Sequence, residues 1–557
     1  MNLLTPPRPA ALWTRRSANI LFLLLLGVAA TSPLRKQVAH GVVFEDLDQD
    51  GVRDSGEPGL AGVRVSDGRT VVLTDTEGRW ALPVEEEAVV FLTKPSGFRT
   101  PLTQNMLPRF YYLHRPSGSP RGMRYPGIEP TGPLPASIDF PLIRSEEPSV
   151  FEALLFADPQ PANEAELDYV REDVVNDLIG TDAAFGMTLG DILFDDLSLF
   201  PRYIRMLGRI GIPWYNVPGN HDMNFEAEDD RHALETFQAH FGPPYYSFEM
   251  GDALFIVLDN IAYRGTGASD PEDASGNGGY DARIGRRQIR WLAEELRHVP
   301  EEQLIVLAMH APLLTAGGYG TEDLTELLAL LAGRPNLYAV AGHTHTTEHV
   351  YLGEEEGFAG PGAFHHHVLA TVSGSWWSGP FDERGVPTSV QRDGTPNGYH
   401  VLEVDGARAS VRFRAAGKPA DHQMRIAFEL DGADAVAAEG RHGELLDGRL
   451  ALAEVSRTRL VVNLFDGGPR SKVTFRIGEG APIELERIAR KDPHVEELYR
   501  RHEKTKKSWV EAVVSTHLFQ APLPKQLAVG THSLHVRAQD EFGRVHHAHC
   551  ALEVVGD

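Results

Sequence analysis

The sequence predicts an α/β core flanked by two all-β sandwich domains. Length is one indication, because a chain of 557 residues is too long for a single hydrophobic core. Periodicity is the other, since short alternating strands fill both ends of the chain and strands alternate with helices between them. The predicted division is a leader over 1–30, a β-sandwich over 31–147, the α/β domain over 148–417 and a second β-sandwich over 418–557.

The first 30 residues have the pattern of an export signal. Arg8, Arg15 and Arg16 precede the apolar run ILFLLLLGVAA, which ends in small residues. This order of charged, apolar and small residues is typical of a secretory signal peptide. The run is short against the ~20 residues of a membrane span, and an uncleaved anchor is the alternative. We therefore expect a periplasmic or secreted protein with no membrane span beyond the leader.

Composition excludes several classes of protein. The formal net charge of -25 argues against a nucleic-acid-binding face, which needs a basic surface to meet phosphates. A phosphate substrate is still compatible, because bound cations can invert the local charge. The single cysteine, Cys550, excludes an intramolecular disulfide framework and any CxxC metal site.

An acidic loop lies in the first β-rich segment. The stretch DLDQDGVRDSGE has carboxylates at positions 1, 3, 5, 9 and 12 and glycine at position 6, the spacing of a 12-residue calcium loop. No helical pattern flanks the loop, so an EF-hand is not predicted, and a solvated acidic turn is the alternative. The predicted calcium ligands are Asp46, Asp48, Asp50, Asp54 and Glu57.

Polar residues end five successive apolar strands of the central segment. The strand ends read ADPQ, LGDILFDD, PGNHD, AMHAP and AGHTHTTEH. Any one of them fits a helix cap or a turn. In open α/β sheets, however, functional groups gather at the carboxyl ends of the strands. Five such ends in succession indicate one shared site.

These blocks resemble the calcineurin-like metallophosphoesterase superfamily, with its ordered motifs D-x-H/Q, G-D, G-N-H-D/E, a strand ending in H, and G-H-x-H. The flanking β-domains resemble a bacterial exported form of that superfamily. The resemblance implies a four-layer αββα core that holds two divalent metal ions. The ligands it implies are Asp158, Gln160, Asp191 and His345 for the first ion, and Asp191, Asn220, His310 and His343 for the second.

For four of these residues the sequence supports a more specific prediction. Asp191 is the implied bridge, because one carboxylate can offer an oxygen to each of two ions. His343 and His345 are expected to alternate in an extended segment and so to face the same side. Gln160 stands where many relatives have histidine. Its carbonyl either binds the ion directly and favours Mn²⁺ or Mg²⁺ over Zn²⁺, or acts only through water. For the centre as a whole we expect Mn²⁺, with Fe, Zn²⁺ or Mg²⁺ as alternatives.

The resemblance also implies a mechanism. A metal-bridging hydroxide would attack a phosphate mono- or diester, and His221 would protonate the leaving oxygen. Either Asp195 or Asp222 could hold the His221 tautomer, and the sequence leaves both open. The expected substrate is a small-molecule, lipid or polymer phosphate ester.

Several features of the sequence allow a different function or a structural role. Two β-sandwiches and a calcium loop would also suit a cell-surface binding or adhesion protein whose phosphoesterase core is inactive. A peptide or lactam hydrolase is disfavoured, since HExxH and HxHxDH are both absent. The run FHHHV at 364–368 is strand-like, so its histidines alternate between faces, which favours a structural role. GSWWSG at 374–379 and Tyr399 are expected either to wall the pocket or to pack in the core, and the glycine-rich 264–281 to form a lid.

Overall fold

The computed structural model describes residues 37–267, 279–432 and 443–556. The predicted leader and most of the predicted lid lie outside the described residues. Among the residues that are described, no helix has both the length and the apolar character needed to cross a bilayer.

The N-terminal region is all β. Its strands are β1 (Gln37–Glu45), β2 (Arg64–Ser66), β3 (Val71–Leu73), β4 (Arg79–Val84), β5 (Ala88–Leu92), β6 (Phe98–Arg99), β7 (Tyr111–His114) and β8 (Phe140–Arg144). They form two four-stranded sheets, ordered β4-β1-β8-β6 and β3-β2-β5-β7. Trp80 of the first sheet and Val90 of the second are buried in one hydrophobic cluster, as in a sandwich.

The central region alternates strands and helices. Its strands are β9 (Val150–Phe156), β10 (Phe185–Leu189), β11 (Trp214–Val217), β12 (Tyr246–Met250), β13 (Ala253–Val257), β14 (Ile261–Tyr263), β15 (Tyr280–Ala282), β16 (Leu304–Ala308), β17 (Leu337–Ala341), β18 (Glu348–Leu352), β19 (Phe364–Val368), β20 (Gly398–Asp405) and β21 (Arg408–Ala415). Its helices are α1 (Glu164–Val170), which continues through a π-helical turn (Arg171–Val175) into α2 (Asn176–Leu178), then α3 (Phe200–Leu207), α4 (Glu235–Phe241), α5 (Gly285–Leu296) and α6 (Leu324–Leu331). Short 3₁₀ turns lie at Leu197–Leu199 and Asp230–His232.

Two mixed sheets form the core, ordered β11-β10-β9-β20-β21 and β12-β13-β16-β17-β19-β18, and β14 and β15 form a separate ribbon. Strands β9, β10 and β11 run parallel in the first sheet, as do β13, β16, β17 and β19 in the second. Strands such as LIVLA of β16 are apolar throughout and fully buried, because both faces of a parallel sheet are covered.

The layers follow the predicted αββα order. The two sheets face each other, since Phe185 of β10 packs edge-on against Phe255 of β13 with ring centroids 5.0 Å apart. Helices α1 to α4 cover the outer face of the first sheet, where Leu167 shares a hydrophobic cluster with Trp214. Helices α5 and α6 cover the second sheet through residues such as Trp291. The fold class predicted from the sequence is therefore confirmed.

The C-terminal region is again β-rich. Its elements are β22 (Met424–Asp431), β23 (Gly443–Leu446), β24 (Arg449–Ala451), a 3₁₀ turn (Val455–Arg457), β25 (Thr458–Leu464), β26 (Lys472–Ile477), β27 (Ile483–Glu484), β28 (Glu486–Lys491), α7 (Pro493–Arg501), β29 (Val514–Pro522), β30 (Gly530–Gln539) and β31 (Val545–Val555).

These strands form two five-stranded sheets, ordered β23-β22-β25-β29-β28 and β24-β31-β30-β26-β27. Leu460 of the first and Val536 of the second are buried in one cluster. Helix α7 starts after Asp492, whose side chain caps it by accepting the His494 N–H at 2.8 Å. The exact domain boundaries stay a prediction, although no strand crosses the predicted limit at 417/418.

Candidate metal centre

The predicted ligands all follow the carboxyl ends of core strands. Asp158 and Gln160 follow β9, Asp191 follows β10, and Asn220 follows β11. The remaining ligands come from the other sheet, where His310 follows β16 and the predicted pair His343 and His345 follows β17. Because the parallel strands of each sheet end at the same edge, the two sheets bring these seven side chains to one place.

His310 lies at the centre of one group of donors. Its Nε2 is 3.2 Å from Asp191 Oδ1, 3.0 Å from Asn220 Oδ1 and 3.1 Å from His343 Nδ1. The donor atoms of Asp191, His310 and His343 all lie within 4.8 Å of one another. His310 Nδ1 donates to the Leu189 carbonyl at 2.8 Å, which fixes the ring with Nε2 toward the cluster. This geometry suits one cation.

A second group lies on the other side of Asp191. His345 Nε2 is 3.8 Å from Asp158 Oδ1, and His345 Nδ1 donates to the Gly374 carbonyl. The Gln160 amide donates to Asp191 Oδ2 at 2.7 Å. Gln160 Oε1 is buried and has no hydrogen-bond partner among the described residues. An unpaired buried carbonyl oxygen beside two carboxylates is costly unless a cation or water meets it.

The backbone at the cluster is strained. Non-glycine residues seldom adopt positive φ, yet five of the seven predicted ligands do so, which is a feature of functional sites. These are Asp158 (φ 45°), Gln160 (φ 39°), Asp191 (φ 48°), His343 (φ 77°) and His345 (φ 53°).

The expectation that His343 and His345 alternate in an extended segment is wrong. Strand β17 ends at Ala341, and both histidines lie in the turn that follows with left-handed backbone. Their side chains nevertheless reach the same cluster. The His343 N–H donates to both oxygens of Asp158 at 3.0 and 2.9 Å, which ties the turn to the end of β9.

Two glycines of the motifs are required because side-chain atoms of predicted ligands lie too close to them for a Cβ. A Cβ at Gly190 would lie 2.5 Å from His310 Nδ1, and one at Gly342 would lie 2.2 Å from Asp158 Oδ2. Any side chain at these two positions would therefore displace a predicted ligand.

His221 pairs with Asp195. His221 Nδ1 lies 2.6 Å from Asp195 Oδ1, and the His221 side chain is 24% exposed. Asp222 instead accepts backbone N–H groups, from Gly219 at 2.9 Å and from Ile192 at 3.2 Å. Of the two candidates that the sequence left open, the structure therefore brings Asp195 to the imidazole, whereas Asp222 braces the loops around Asp191.

Burial and neighbouring charges shift the pKa values of the site residues, and the neighbouring carboxylates raise the pKa of His310 to about 9. Burial lowers the pKa of His343 and of His345 to about 3, so both imidazoles are neutral and keep a lone pair for a cation. Burial also acts to raise the pKa of Asp191, but the charges of His310 and His221 outweigh it and hold that pKa well below its usual range.

The pKa of His221 is shifted the other way. Burial acts to lower it, but the carboxylates of Asp191 and Asp195 outweigh burial and raise the pKa of His221 to about 9. His221 is therefore protonated at neutral pH, as a proton donor must be.

Aromatic rings line the solvent side of the cluster. Trp376 stacks on His345 with centroids 3.8 Å apart, and Phe194 stacks on His221 at 4.6 Å. Trp509, from the C-terminal region, lies 6.1 Å from Phe194 and is 50% exposed. We call these three rings, Trp376, Phe194 and Trp509, the aromatic wall.

Only part of this aromatic wall was predicted from the sequence. Trp376 lies at the pocket, whereas Trp377 is buried and donates to the Pro159 carbonyl at 2.9 Å. Tyr399 packs in the core, 5.9 Å from Phe156. Trp509 was missed, because nothing in its local sequence links it to a site whose last predicted ligand, His345, lies 164 residues earlier in the chain.

The acidic loop of the N-terminal region also brings its carboxylates together. Asp46, Asp48 and Glu57 offer oxygens within 4.8 Å of one another, as do Asp48, Asp50 and Asp54. Asp46 and Glu57 are buried and accept backbone N–H groups of the loop. Calcium binding there stays a prediction.

Family models match all three regions of the chain. Three family models match, described as the N terminal of calcineurin-like phosphoesterase over 47–125, calcineurin-like phosphoesterase over 154–347 and the C terminal of calcineurin-like phosphoesterase over 366–546. No curated protein matches the chain. Among solved structures, a purple acid phosphatase from yellow lupin (Lupinus luteus) seeds is similar at 13% identity and a TM-score of 0.33. The match covers 68% of this chain and 66% of the lupin chain, slightly under two thirds of the latter.

Proposed function

The chain belongs to the calcineurin-like phosphoesterase family and its core is a metal-dependent phosphoric ester hydrolase domain, and from this premise we propose that it hydrolyses phosphate mono- or diesters with two divalent ions. The observation that carries the proposal is the convergence of donor atoms on Asp191 from both sheets. The chemistry of the donors fits hard or borderline divalent cations, because carboxylate, amide and imidazole groups surround Asp191 on both sides.

Every proposed ligand except Asp191 would hold one ion. Asp191 would bridge the two ions. The other ligands would be Asp158, Gln160 and His345 for the first ion, and Asn220, His310 and His343 for the second. The unpaired Oε1 of Gln160 supports direct binding through oxygen, which favours Mn²⁺ at the first position.

When bound, two such ions activate water near neutral pH and neutralise the oxygens of the phosphoryl group. The chain supplies the rest of the chemistry. His221, protonated at neutral pH, would give its proton to the leaving oxygen, and Asp195 would hold the Nδ1 side of the ring so that Nε2 faces the substrate. Asp222 would keep the loops around Asp191 in place.

The aromatic wall suggests the character of the substrate. Trp509 is half exposed and stacks on Phe194, which in turn stacks on His221, where the leaving alcohol would lie. We expect a small-molecule, lipid or polymer phosphate ester whose alcohol is apolar or can stack on a ring. The proposed setting is outside the cytoplasm, after the 1–30 leader is removed.

The test is turnover by purified, Mn²⁺-loaded protein of nitrophenyl mono- and bis-phosphate esters. The His343→Ala variant removes one proposed ligand, and His535→Ala, on β30 of the C-terminal region, is the control. We expect hydrolysis by the wild type and the control and loss of it in His343→Ala. Absence of turnover with every divalent ion would favour the binding or adhesion protein, and equal turnover in His343→Ala would exclude this site.

A further inference from the structure

Tyr319 lies beside the candidate metal centre and is neither a proposed ligand nor part of the aromatic wall. Its hydroxyl oxygen is 3.0 Å from Nε2 of His343, a proposed ligand of the second ion. The two rings are 24° from parallel, with centroids 5.6 Å apart. Tyr319 is 41% exposed, so it lies where solvent, and hence a substrate, can reach the site.

The hydrogen bond to Tyr319 differs from those that hold the other ligand histidines. The outer nitrogens of His310 and His345 donate to backbone carbonyl oxygens, which can only accept. His343 instead turns Nδ1 toward the cluster, 3.1 Å from His310 Nε2, and turns Nε2 toward a hydroxyl. A hydroxyl can accept one hydrogen bond and donate another. His343 is therefore held by a group that has a second hydrogen bond to make.

The hydrogen of the Tyr319 hydroxyl has no acceptor among the residues that the structure describes once His343 is the donor of their shared bond. If Nδ1 of His343 offers its lone pair to an ion, Nε2 carries the hydrogen and donates it to Tyr319 Oη. The phenol, which is protonated at neutral pH, then keeps its own hydrogen. This O–H can therefore donate to a molecule that enters the site from solvent.

Tyr319 is held on a tight hairpin that follows His310. The Thr315 N–H donates to the Tyr319 carbonyl at 2.7 Å, and the Tyr319 N–H donates to Thr315 Oγ1 at 3.1 Å. Glu348, on β18 of the second sheet, anchors the hairpin by accepting the Ala316 N–H at 2.9 Å. The hydroxyl is therefore presented to the metal centre by a hydrogen-bonded turn that is tied to the core.

Tyr319 and the proposed proton donor reach the site from different loops. His221 lies against Phe194 and Asp195, whereas Tyr319 lies against His343. In the proposed mechanism the leaving oxygen already receives a proton from His221. A neutral O–H beside the second ion suits instead an oxygen that stays on phosphorus, where negative charge is concentrated.

We propose that Tyr319 binds the substrate, with its hydroxyl accepting the His343 N–H and donating to a non-bridging oxygen of the phosphoryl group. The inference rests on the proposed function, because it needs a phosphate ester at the metal centre. The same contact would bind inorganic phosphate, the product of monoester hydrolysis.

The test uses the full-length protein saturated with Mn²⁺ and inorganic phosphate as the probe. Tyr319→Phe removes the hydroxyl and keeps the ring. Tyr112→Phe, at a partly exposed tyrosine on β7 of the N-terminal region, is the matched control. By calorimetry, we expect the Kd for phosphate to rise about 10- to 100-fold in Tyr319→Phe, the loss expected for one hydrogen bond to a charged group, and to stay unchanged in the control. The same Kd in Tyr319→Phe and the wild type would overturn the proposal.

Two further measurements separate substrate contact from an effect on His343. Elemental mass spectrometry of the Mn²⁺-saturated proteins should find equal manganese in Tyr319→Phe and the wild type. Less manganese in the variant would place the effect on the ligand and overturn the substrate contact. On esters of different leaving-group pKa, kcat/KM should fall by a similar factor, since the bond is to an oxygen that stays on phosphorus. A loss that grows with leaving-group pKa would contradict that assignment.

Failure of the role of Tyr319 can be told from failure of the proposed function. If the wild type hydrolyses phosphate esters and Tyr319→Phe matches it in every measurement, only the role of Tyr319 is wrong. If the wild type hydrolyses no ester with any divalent ion, the proposed function fails and the role of Tyr319 with it.

Wild-type crystals grown with Mn²⁺ and phosphate provide a measurement that needs no variant. A phosphate oxygen should lie about 2.5–3.0 Å from Tyr319 Oη, the distance of an O–H···O hydrogen bond. A separation of more than about 3.5 Å would overturn the proposal.

Discussion

The candidate metal centre and a second, buried group of residues use the same residue types in opposite ways. The second group, here called the inter-sheet cluster, consists of His349, His367 and His400 around Asp466. The metal centre is built from turns after strand ends, with positive φ at residues such as Asp191 and His343, and it meets solvent at His221. The inter-sheet cluster takes its three histidines from regular strands and is closed. Strain and access are needed where a substrate must be bound and released, whereas regular, buried strands suit a cross-link. The comparison predicts that one site controls activity and the other controls stability.

Replacing one carboxylate in each site tests most directly whether one site controls activity and the other controls stability. We expect Asp191→Asn to lower kcat/KM by at least about 10²–10³-fold, the cost of losing one group that stabilises the transition state. Its melting temperature should change little, because Asn keeps the shape of the side chain and tolerates the left-handed backbone at this position. Asp466→Asn should do the reverse, with a lower melting temperature and near-normal kcat/KM. Equal losses of activity in both variants would contradict the division.

The next largest loss of activity is expected when the proposed proton donor, His221, is replaced. We expect His221→Asn to lower kcat by about 10²–10⁴-fold on alkyl phosphate esters, because the leaving alkoxide needs a proton. The loss on nitrophenyl esters should be much smaller, since nitrophenolate departs without one. The measurement is kcat on a series of esters of graded leaving-group pKa.

Asp195→Asn serves as the companion variant. We expect an intermediate loss of about 10–100-fold with the same dependence on leaving group, because the ring stays but its orientation is no longer fixed by a carboxylate. A uniform loss across all esters would show that His221 and Asp195 do not act on the leaving oxygen.

A smaller effect is expected at Gln160. Gln160→His replaces a neutral oxygen donor with imidazole, which suits Zn²⁺ better. We expect the affinity for Zn²⁺ relative to Mn²⁺ to rise by about 10-fold, measured by competition between the two ions. An unchanged ratio would mean that Gln160 does not bind the ion directly.

The smallest effect is expected at the aromatic wall. Trp509→Ala should raise KM for nitrophenyl esters by roughly 2- to 10-fold, as loss of about 0.5–1.5 kcal/mol of stacking predicts, with kcat nearly unchanged. Phe98→Ala, on β6 of the N-terminal region, is the control. If KM stays the same in Trp509→Ala, the wall does not contact the substrate.

Sequence alone predicted the strand-end site because its residues occur in short contiguous motifs. The order of strands and helices predicted an α/β core, whereas its division into the two sheets of an αββα core was implied only by the family resemblance of the motifs. The choice of Asp195 over Asp222 could not be made, since it depends on how two loops fold around His221. The turn at His343 and His345 could not be predicted, because nothing in the local sequence signals its left-handed backbone.

The inter-sheet cluster shows the other limit of sequence-based prediction. His367 lies in the run FHHHV, but its neighbour His366 points elsewhere and accepts the Leu313 N–H at 3.1 Å. The partners of His367 are dispersed over separate strands, and Asp466 lies 99 residues further along the chain. Only the packing of three sheets brings them together.

The central claim is that Asp191 bridges two cations. The most direct test is anomalous scattering at the manganese edge from crystals of Mn²⁺-loaded wild-type protein. Two peaks about 3.5–4 Å apart are expected, one on each side of the Asp191 carboxylate. A single peak, or peaks away from Asp191, would contradict the two-ion centre.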